Sequence, residues 1–368
     1  MKTKVCHITS AHSKDDPRIF HKQCVSLAKA GYSVTLIVND EPLNEIVKEV
    51  HIISTGIKPK NRRERFLDSK KRLWQKAMEV DADIYQLHDP DLLPIGNKLK
   101  RAGKKVIFDS HEDVPQQIMD KGWIPEYLRN IVSNTYEAYE KYSISKYDGV
   151  ISVTPKIVDR FKKTNSNIVV ITNYPIIDEN QSTERNPEKA ICFAGGVTNQ
   201  YHHIEIIKAM ESIDGIKYFL AGQVSDAYLE ELKSLPAWDK VVFKGKVPFE
   251  DVKKIYSKSM IGMAVHYSNQ AKVEGSLGGI KLFEFMEAKL PVICTNYRLW
   301  KEIIEGNNCG ICVDPKNIKG IENAIRYIIE HPEEAKIMGE NGRRIVLEKY
   351  NWGIQEKILL RFYKDIKC

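Results

Sequence analysis

The stretch Gly278–Pro315, GGIKLFEFMEAKLPVICTNYRLWKEIIEGNNCGICVDP, decides the fold. Two glycines precede a helix that carries Lys281 and Glu284. A short strand, a second helix and a strand closing on Asp-Pro follow. Gly278 and Gly279 let the backbone approach a ligand, and the amides of the next turn, from Ile280 on, face it. A helix N-terminus carries roughly half a positive charge and suits a phosphate. Lys281 adds a full charge, and Glu284, one turn on, is placed to accept hydrogen bonds from ribose-like hydroxyls. An ordinary βα unit with a surface lysine is the plain alternative on spacing alone.

The chain around it has 368 residues, enough for two domains. Short apolar runs alternate with helical segments: KVCHIT, YSVTLIV, ADIYQLH, KKVIFDS and DGVISVT, then KAICFAG, IKYFLAG, KVVFKG and IGMAVH. Strands separated by helices of this length predict parallel sheets with covered faces. The fold class is therefore α/β, with two Rossmann-like domains. Residues 174–189, YPIIDENQSTERNPEK, lack a periodic apolar face and read as the connection. The expected boundaries are 1–175, 176–348 and a final helix within 349–368.

Charged residues make up 29% of the chain and hydrophobic ones 42%, as in soluble globular proteins. No apolar run approaches the ~20 residues that span a bilayer, and the N-terminus reads as a first strand, so a cytoplasmic location is expected. The seven cysteines fit that compartment, and Cys309-x-x-Cys312 reads as strand packing. Neither GxGxxG nor GxxxxGK[ST] occurs, which weakens a dinucleotide-dependent dehydrogenase and a P-loop enzyme. Of the formal +7 charge, much lies in residues 58–72, with eight basic and two acidic side chains, and in KLKRAGKK at 98–105. No nucleic-acid module accompanies it, so the candidate partner is an anionic membrane surface, with plain solvation as the alternative.

Five strand ends carry chemistry. In SAHSKDDPRIFHK, Asp16 and Pro17 read as helix cap and first helical residue, leaving His12 and Arg18 over. In QLHDPDLLPIG, Asp89-Pro90-Asp91 has D-x-D form but reads as a helix cap beside His88. FDSHEDVP presents His111 next to Glu112 and Asp113, either of which is placed to orient it. CFAGGVTNQYHH brings Gly195 and Gly196, and VVFKGKVPFEDV brings Lys246 and Val247 at a turn.

The 278–291 segment, DDPRIF and HEDVP together resemble glycosyltransferase family 4, retaining enzymes of GT-B fold that build envelope, capsule and O-antigen polysaccharides. The resemblance runs nearly end to end. It implies two domains facing a central cleft. A nucleotide-sugar donor, a UDP-sugar, sits on the second domain, and the first presents His111 to the donor sugar from across the gap. The acceptor is a glycan or a polyprenyl-linked glycan, the configuration at the anomeric carbon is retained, and no metal is required. His111, Glu112, Lys281 and Glu284 take the catalytic positions. Gly195, Gly196, Gly278, Gly279, Ile280 and Lys281 line the diphosphate, Glu284 meets the ribose, and Lys246 and Val247 meet the base.

Two departures stand out. The family's Glu, seven residues, Glu pattern places Ser276 where the first Glu belongs, with Glu274 nearby. The Arg and Lys that usually grip the diphosphate fall on Gly196 and Tyr201. Lys281 is then the main cation, and Arg18 the expected second one. An epimerase of the same fold, acting on a nucleotide sugar without an acceptor, is the rival enzyme. A sugar-binding protein is the non-enzymatic one.

Overall fold

The computed structural model describes residues 2–59, 64, 68–111, 113–122, 124–177, 187–267, 277 and 279–367. The chain divides into two compact units, Met1–Asn173 with Trp352–Cys368, and Tyr174–Asn351.

The first unit holds β1 (Lys4–Ile8), β2 (Ser33–Val38), β3 (Asn44–Val47), β4 (Val50–Ser54), β5 (Ile84–Leu87), β6 (Lys105–Ser110), β7 (Gly149–Ser152) and β8 (Ile168–Val170). Their order in the sheet is β3-β4-β2-β1-β5-β6-β7-β8, parallel except for the edge pair β3–β4. The central strands β1, β5 and β6 are almost wholly buried, as expected of a parallel sheet covered on both faces. The chain reverses its direction of travel across the sheet between β1 and β5. Ligands bind outside the carboxyl ends of strands at such a switch point.

Helix Trp352–Lys367 belongs to this unit. Leu359, Phe362, Tyr363 and Ile366 are buried there, and Trp352 Nε1 donates to Ser26 Oγ at 2.9 Å. Its fit is close: a Cβ built on Gly149 of β7 would lie 2.5 Å from the Phe362 ring.

The second unit holds β9 (Ala190–Ala194), β10 (Lys217–Ala221), β11 (Val241–Phe243), β12 (Ile261–Ala264), β13 (Val292–Thr295) and β14 (Gly310–Val313), ordered β11-β10-β9-β12-β13-β14 with the pairs parallel. Its switch point lies between β9 and β12. Helix Ile280–Glu287 buries Leu282, Phe283, Phe285 and Met286, leaving Lys281 and Glu284 on the opposite stripe. Both sheets match the expected α/β class. Cys6, Cys192, Cys294 and Cys312 lie in strands, and Cys294 pairs in register with Cys312, the sulfurs 3.5 Å apart.

No helix of the described residues is long and apolar enough to cross a membrane. Within 98–105, Lys100 and Lys105 pair with Asp148 at 2.7 and 3.3 Å, and Lys104 pairs with Asp81 at 2.5 Å. Residues 60–63 and 65–67 of the other basic stretch lie outside the described residues.

Candidate functional site

In the first unit the switch point is built on polar residues inside otherwise apolar strands. His7 of β1 is in register with Gln86 of β5, which pairs with Ile107 of β6, two residues before Asp109. Side chains two apart on a strand share a face. His7, Gln86 and Asp109 therefore line one side of the sheet, and His88 and His111 continue it past the strand ends. Asp109 is completely buried and is the hub. Arg18 donates to it through Nη2 at 2.8 Å and Nε at 3.2 Å, Gln23 Nε2 at 2.7 Å and Gln86 Nε2 at 3.2 Å. His111 Nε2 lies 3.1 Å and His88 Nδ1 3.4 Å from its Oδ2. Burial opposes the charge of Asp109. Arg18, His111 and His88 outweigh it and hold the carboxyl well below the usual carboxylate range. His88 continues inward to His7, Nε2 to Nδ1 at 2.9 Å, and burial pushes both imidazoles below their ordinary pKa.

This arrangement corrects the expectation for Arg18. Its side chain is 6% exposed, and Nη1 donates to the Ile171 carbonyl at 2.7 Å while Nη2 and Nε hold Asp109. The guanidinium is an internal counter-ion, closed to a phosphate. The orienting partner of His111 is Asp109. Asp113 instead caps helix Val114–Asp120, accepting from Gln116 N at 3.4 Å. Glu112 lies outside the described residues.

Asp16 does cap its helix, accepting from the backbone of Arg18 and Ile19 at 2.8 Å each, and that helix opens as a π-helix over Pro17–Cys24. Asp89 takes the N-cap position of the 3-10 turn Pro90–Leu92, as expected, but the D-x-D side chains make no capping bond. Asp89 Oδ2 accepts from Thr9 Oγ1 at 2.7 Å and Ser10 N at 2.6 Å, and Asp91 Oδ1 from Ser10 Oγ at 2.8 Å, tying down the loop after β1.

In the second unit, Lys281 and Glu284 stand together at the start of helix Ile280–Glu287. Lys281 Nζ donates to Glu284 Oε2 at 2.8 Å, and Tyr256 Oη donates to the same oxygen at 3.0 Å. Burial, then the Glu284 carboxylate, lifts the Tyr256 phenol well above its ordinary pKa. The Lys281 stem passes over Gly195 at the end of β9, where a built Cβ would lie 3.1 Å from Lys281 Cε.

Gly195 is in turn pressed by Gly222, whose φ is +146° and whose Cβ would fall 1.6 Å from the Gly195 carbonyl oxygen. Gly222 N donates to Gly245 O at 2.7 Å, which carries the stack to the loop bearing Lys246 and Val247. Lys246 is exposed and Val247 packs on the core. Around Gly196 a Cβ would meet nothing within 4 Å, and at Gly279 it would strike Trp300 at 2.8 Å. Gly195, Gly279, Lys281 and Glu284 thus come together, and Ile280 is half-buried at the first turn. Gly278, Ser276 and Glu274 lie outside the described residues. His266, which follows β12 within two residues, packs against Tyr201 with ring centres 4.7 Å apart and planes tilted by 53°, and was not singled out by its sequence context.

Residues 18–174 match the family described as Glycosyltransferase Family 4, and residues 176–345 match Glycosyl transferases group 1. Each of the two domains thus matches a glycosyltransferase family model, and their architecture is the GT-B fold. A curated relative, the uncharacterized glycosyltransferase MJ1607 of Methanocaldococcus jannaschii, is 30% identical over 186 residues. That match takes in 49% of this chain and 46% of the relative, so the chain spans about half the relative's length.

Solved GT-B structures align along nearly the whole chain. Sucrose-phosphate synthase of Thermosynechococcus elongatus has a TM-score of 0.72 at 15% identity, covering 99% of both chains. Anabaena HepE, solved with UDP and glucose, has a TM-score of 0.72 at 12% identity, covering 99% of this chain and 100% of that one. WaaG, a glycosyltransferase involved in lipopolysaccharide biosynthesis, has a TM-score of 0.70 at 16% identity, covering 96% and 98%. At such identities these likenesses establish the fold.

Proposed function

We propose that this GT-B chain moves a sugar from a UDP-sugar to a glycan or polyprenyl-linked acceptor, with retention at the anomeric carbon. One observation carries the reading: Lys281 and Glu284, paired at 2.8 Å, stand at the first turn of a helix against the Gly195 backbone at a switch point. The leaving diphosphate sits on the helix amides and takes Lys281 as its cation, which stabilises the charge that grows as the glycosidic bond breaks. Glu284 turns Oε1 to the ribose while Tyr256 holds Oε2. His111, aligned by Asp109, holds a sugar hydroxyl, and Lys246 and Val247 border the base. The acceptor oxygen reaches the anomeric carbon by positioning, on the face the phosphate leaves. Such chemistry asks for no metal.

The complex of HepE with UDP supports the choice of nucleotide, since that protein shares the fold. Residues 58–72 support an anionic cytoplasmic membrane face as the place of work; after the pairing of Lys100, Lys104 and Lys105, residues 98–105 add little.

The test is a panel of UDP-sugars incubated with lipid-linked and free glycans, scored for UDP release and for the anomeric configuration of the product by NMR. Acceptor-dependent UDP release with a retained product is expected. An inverted product overturns retention. Donor turnover without UDP release overturns transfer.

A further inference from the structure

We infer that His88, Asp109 and His111 form a binding site for a divalent transition-metal cation, with Zn2+ as its natural probe. Their ligand atoms converge: His88 Nδ1 lies 3.4 Å from Asp109 Oδ2, His111 Nε2 lies 3.1 Å from the same oxygen, and the two nitrogens lie 3.4 Å apart. A tetrahedral zinc ion with bonds of about 2.0–2.1 Å sets its ligand atoms about 3.3–3.4 Å from one another. The triangle is therefore one face of such a tetrahedron.

Two of the three contacts, at 3.4 Å, are longer than the usual hydrogen bond of about 2.7–3.2 Å. Asp109 Oδ2 already accepts from Gln23 at 2.7 Å and faces Gln86 Nε2 and Arg18 Nε at 3.2 Å. A carboxylate oxygen offers about two lone-pair sites. With His88 Nε2–H donating to His7 Nδ1, His88 Nδ1 presents a lone pair to the triangle, 3.4 Å from His111 Nε2. Loss of the His111 Nε2 proton leaves two nitrogen lone pairs facing the Asp109 oxygen, and a cation among the three takes the place of the longer Gln86 and Arg18 contacts to that oxygen.

The surroundings are those of a supported site. His7 Nδ1 contacts His88 Nε2 at 2.9 Å, which fixes the ring with Nδ1 turned to the cation, and Arg18 Nη2 holds Asp109 Oδ1 at 2.8 Å. The guanidinium offsets the carboxylate charge, so two neutral imidazoles select a nitrogen-loving ion over Mg2+. His88 and Asp109 are fully buried, whereas the His111 side chain is 15% exposed, so entry and the fourth ligand come from the His111 side.

The experiment is a calorimetric titration of the chelator-stripped full chain with ZnCl2, with MgCl2 in parallel, followed by the visible spectrum of the Co2+ form. One Zn2+ per chain, no Mg2+ heat and the intense ligand-field bands of four-coordinate Co2+ are expected. His111→Ala, at a partly exposed position, weakens Zn2+ binding about a hundredfold or more with an unchanged circular dichroism spectrum. His12→Ala, whose ring centre is 5.5 Å from that of His111, keeps the affinity. Absence of Zn2+ heat, full binding by His111→Ala, or the weak bands of octahedral Co2+ overturns the site.

Discussion

Arg18 and Asp109, 91 residues apart in sequence, form a buried bidentate pair: Nη2 meets Oδ1 at 2.8 Å and Nε meets Oδ2 at 3.2 Å. The pair fixes the helix after β1 to β6 and sets the carboxylate that aligns His111. Removing one partner strands the other charge. Arg18→Ala is therefore expected to lower unfolding free energy by about 3–5 kcal/mol in urea titrations. Unchanged stability with lost UDP affinity would return Arg18 to the phosphate.

Glu284 is expected to act on the donor more than on the fold. Glu284→Gln keeps an acceptor for Tyr256 but loses the charge facing Lys281. One charge-assisted bond is worth about 1.5–3 kcal/mol, so KM for the donor rises about ten- to a hundredfold. Steady-state kinetics over a donor series checks this, and a KM within twofold of the parent chain contradicts it.

Gly222 sets the floor beneath Gly195. Its φ of +146° and the 1.6 Å from an added Cβ to the Gly195 oxygen exclude any side chain. Gly222→Ala forces β9 and β10 apart at their carboxyl ends and is expected to cost about 2 kcal/mol or more. Gly215→Ala, where φ is +66° but a Cβ meets nothing within 4 Å, isolates the backbone contribution in the same melts. Equal losses at the two sites contradict the packing argument.

Acid is expected to destabilise the second unit before its carboxylates titrate. Burial, reinforced by His202, holds His203 down to about 3 and His266 to about 4. The folded chain keeps them neutral while the unfolded chain takes protons below about 6.5. Their contribution is complete above that pH. It falls as pH drops toward 4 and then 3, by about 1.4 kcal/mol per unit for each histidine. Thermal melts at pH 7.5, 6.0 and 5.0 check this, and His266→Phe flattens the slope. An unchanged midpoint from pH 7.5 to 5.0 contradicts it.

The sheets were legible because period and spacing survive tertiary packing. KVCHIT, YSVTLIV and ADIYQLH became β1, β2 and β5. The short edge strand Asn44–Val47 escaped because half of its residues face water and it carries no apolar run. Lys281 and Glu284 were readable from glycines ahead of a helix. Asp109 was not, although the signal was present: a carboxylate within KVIFDS has to be paired to be buried. Which cation pairs it, Arg18 from 91 residues away, depends on how the helix after β1 lies across the sheet, and no local pattern encodes that.

The central claim is that a nucleoside diphosphate sits at the first turn of helix Ile280–Glu287 with Lys281 as its cation. Calorimetric titration of UDP into the parent chain and into Lys281→Ala tests it most directly. The pair Lys281–Glu284 is partly exposed, so the variant stays folded, with a stability change within about 1 kcal/mol. The account predicts UDP binding to the parent chain, weakened about ten- to a hundredfold in the variant. Equal affinity for UDP in the two proteins, or no heat from the parent chain, would contradict it.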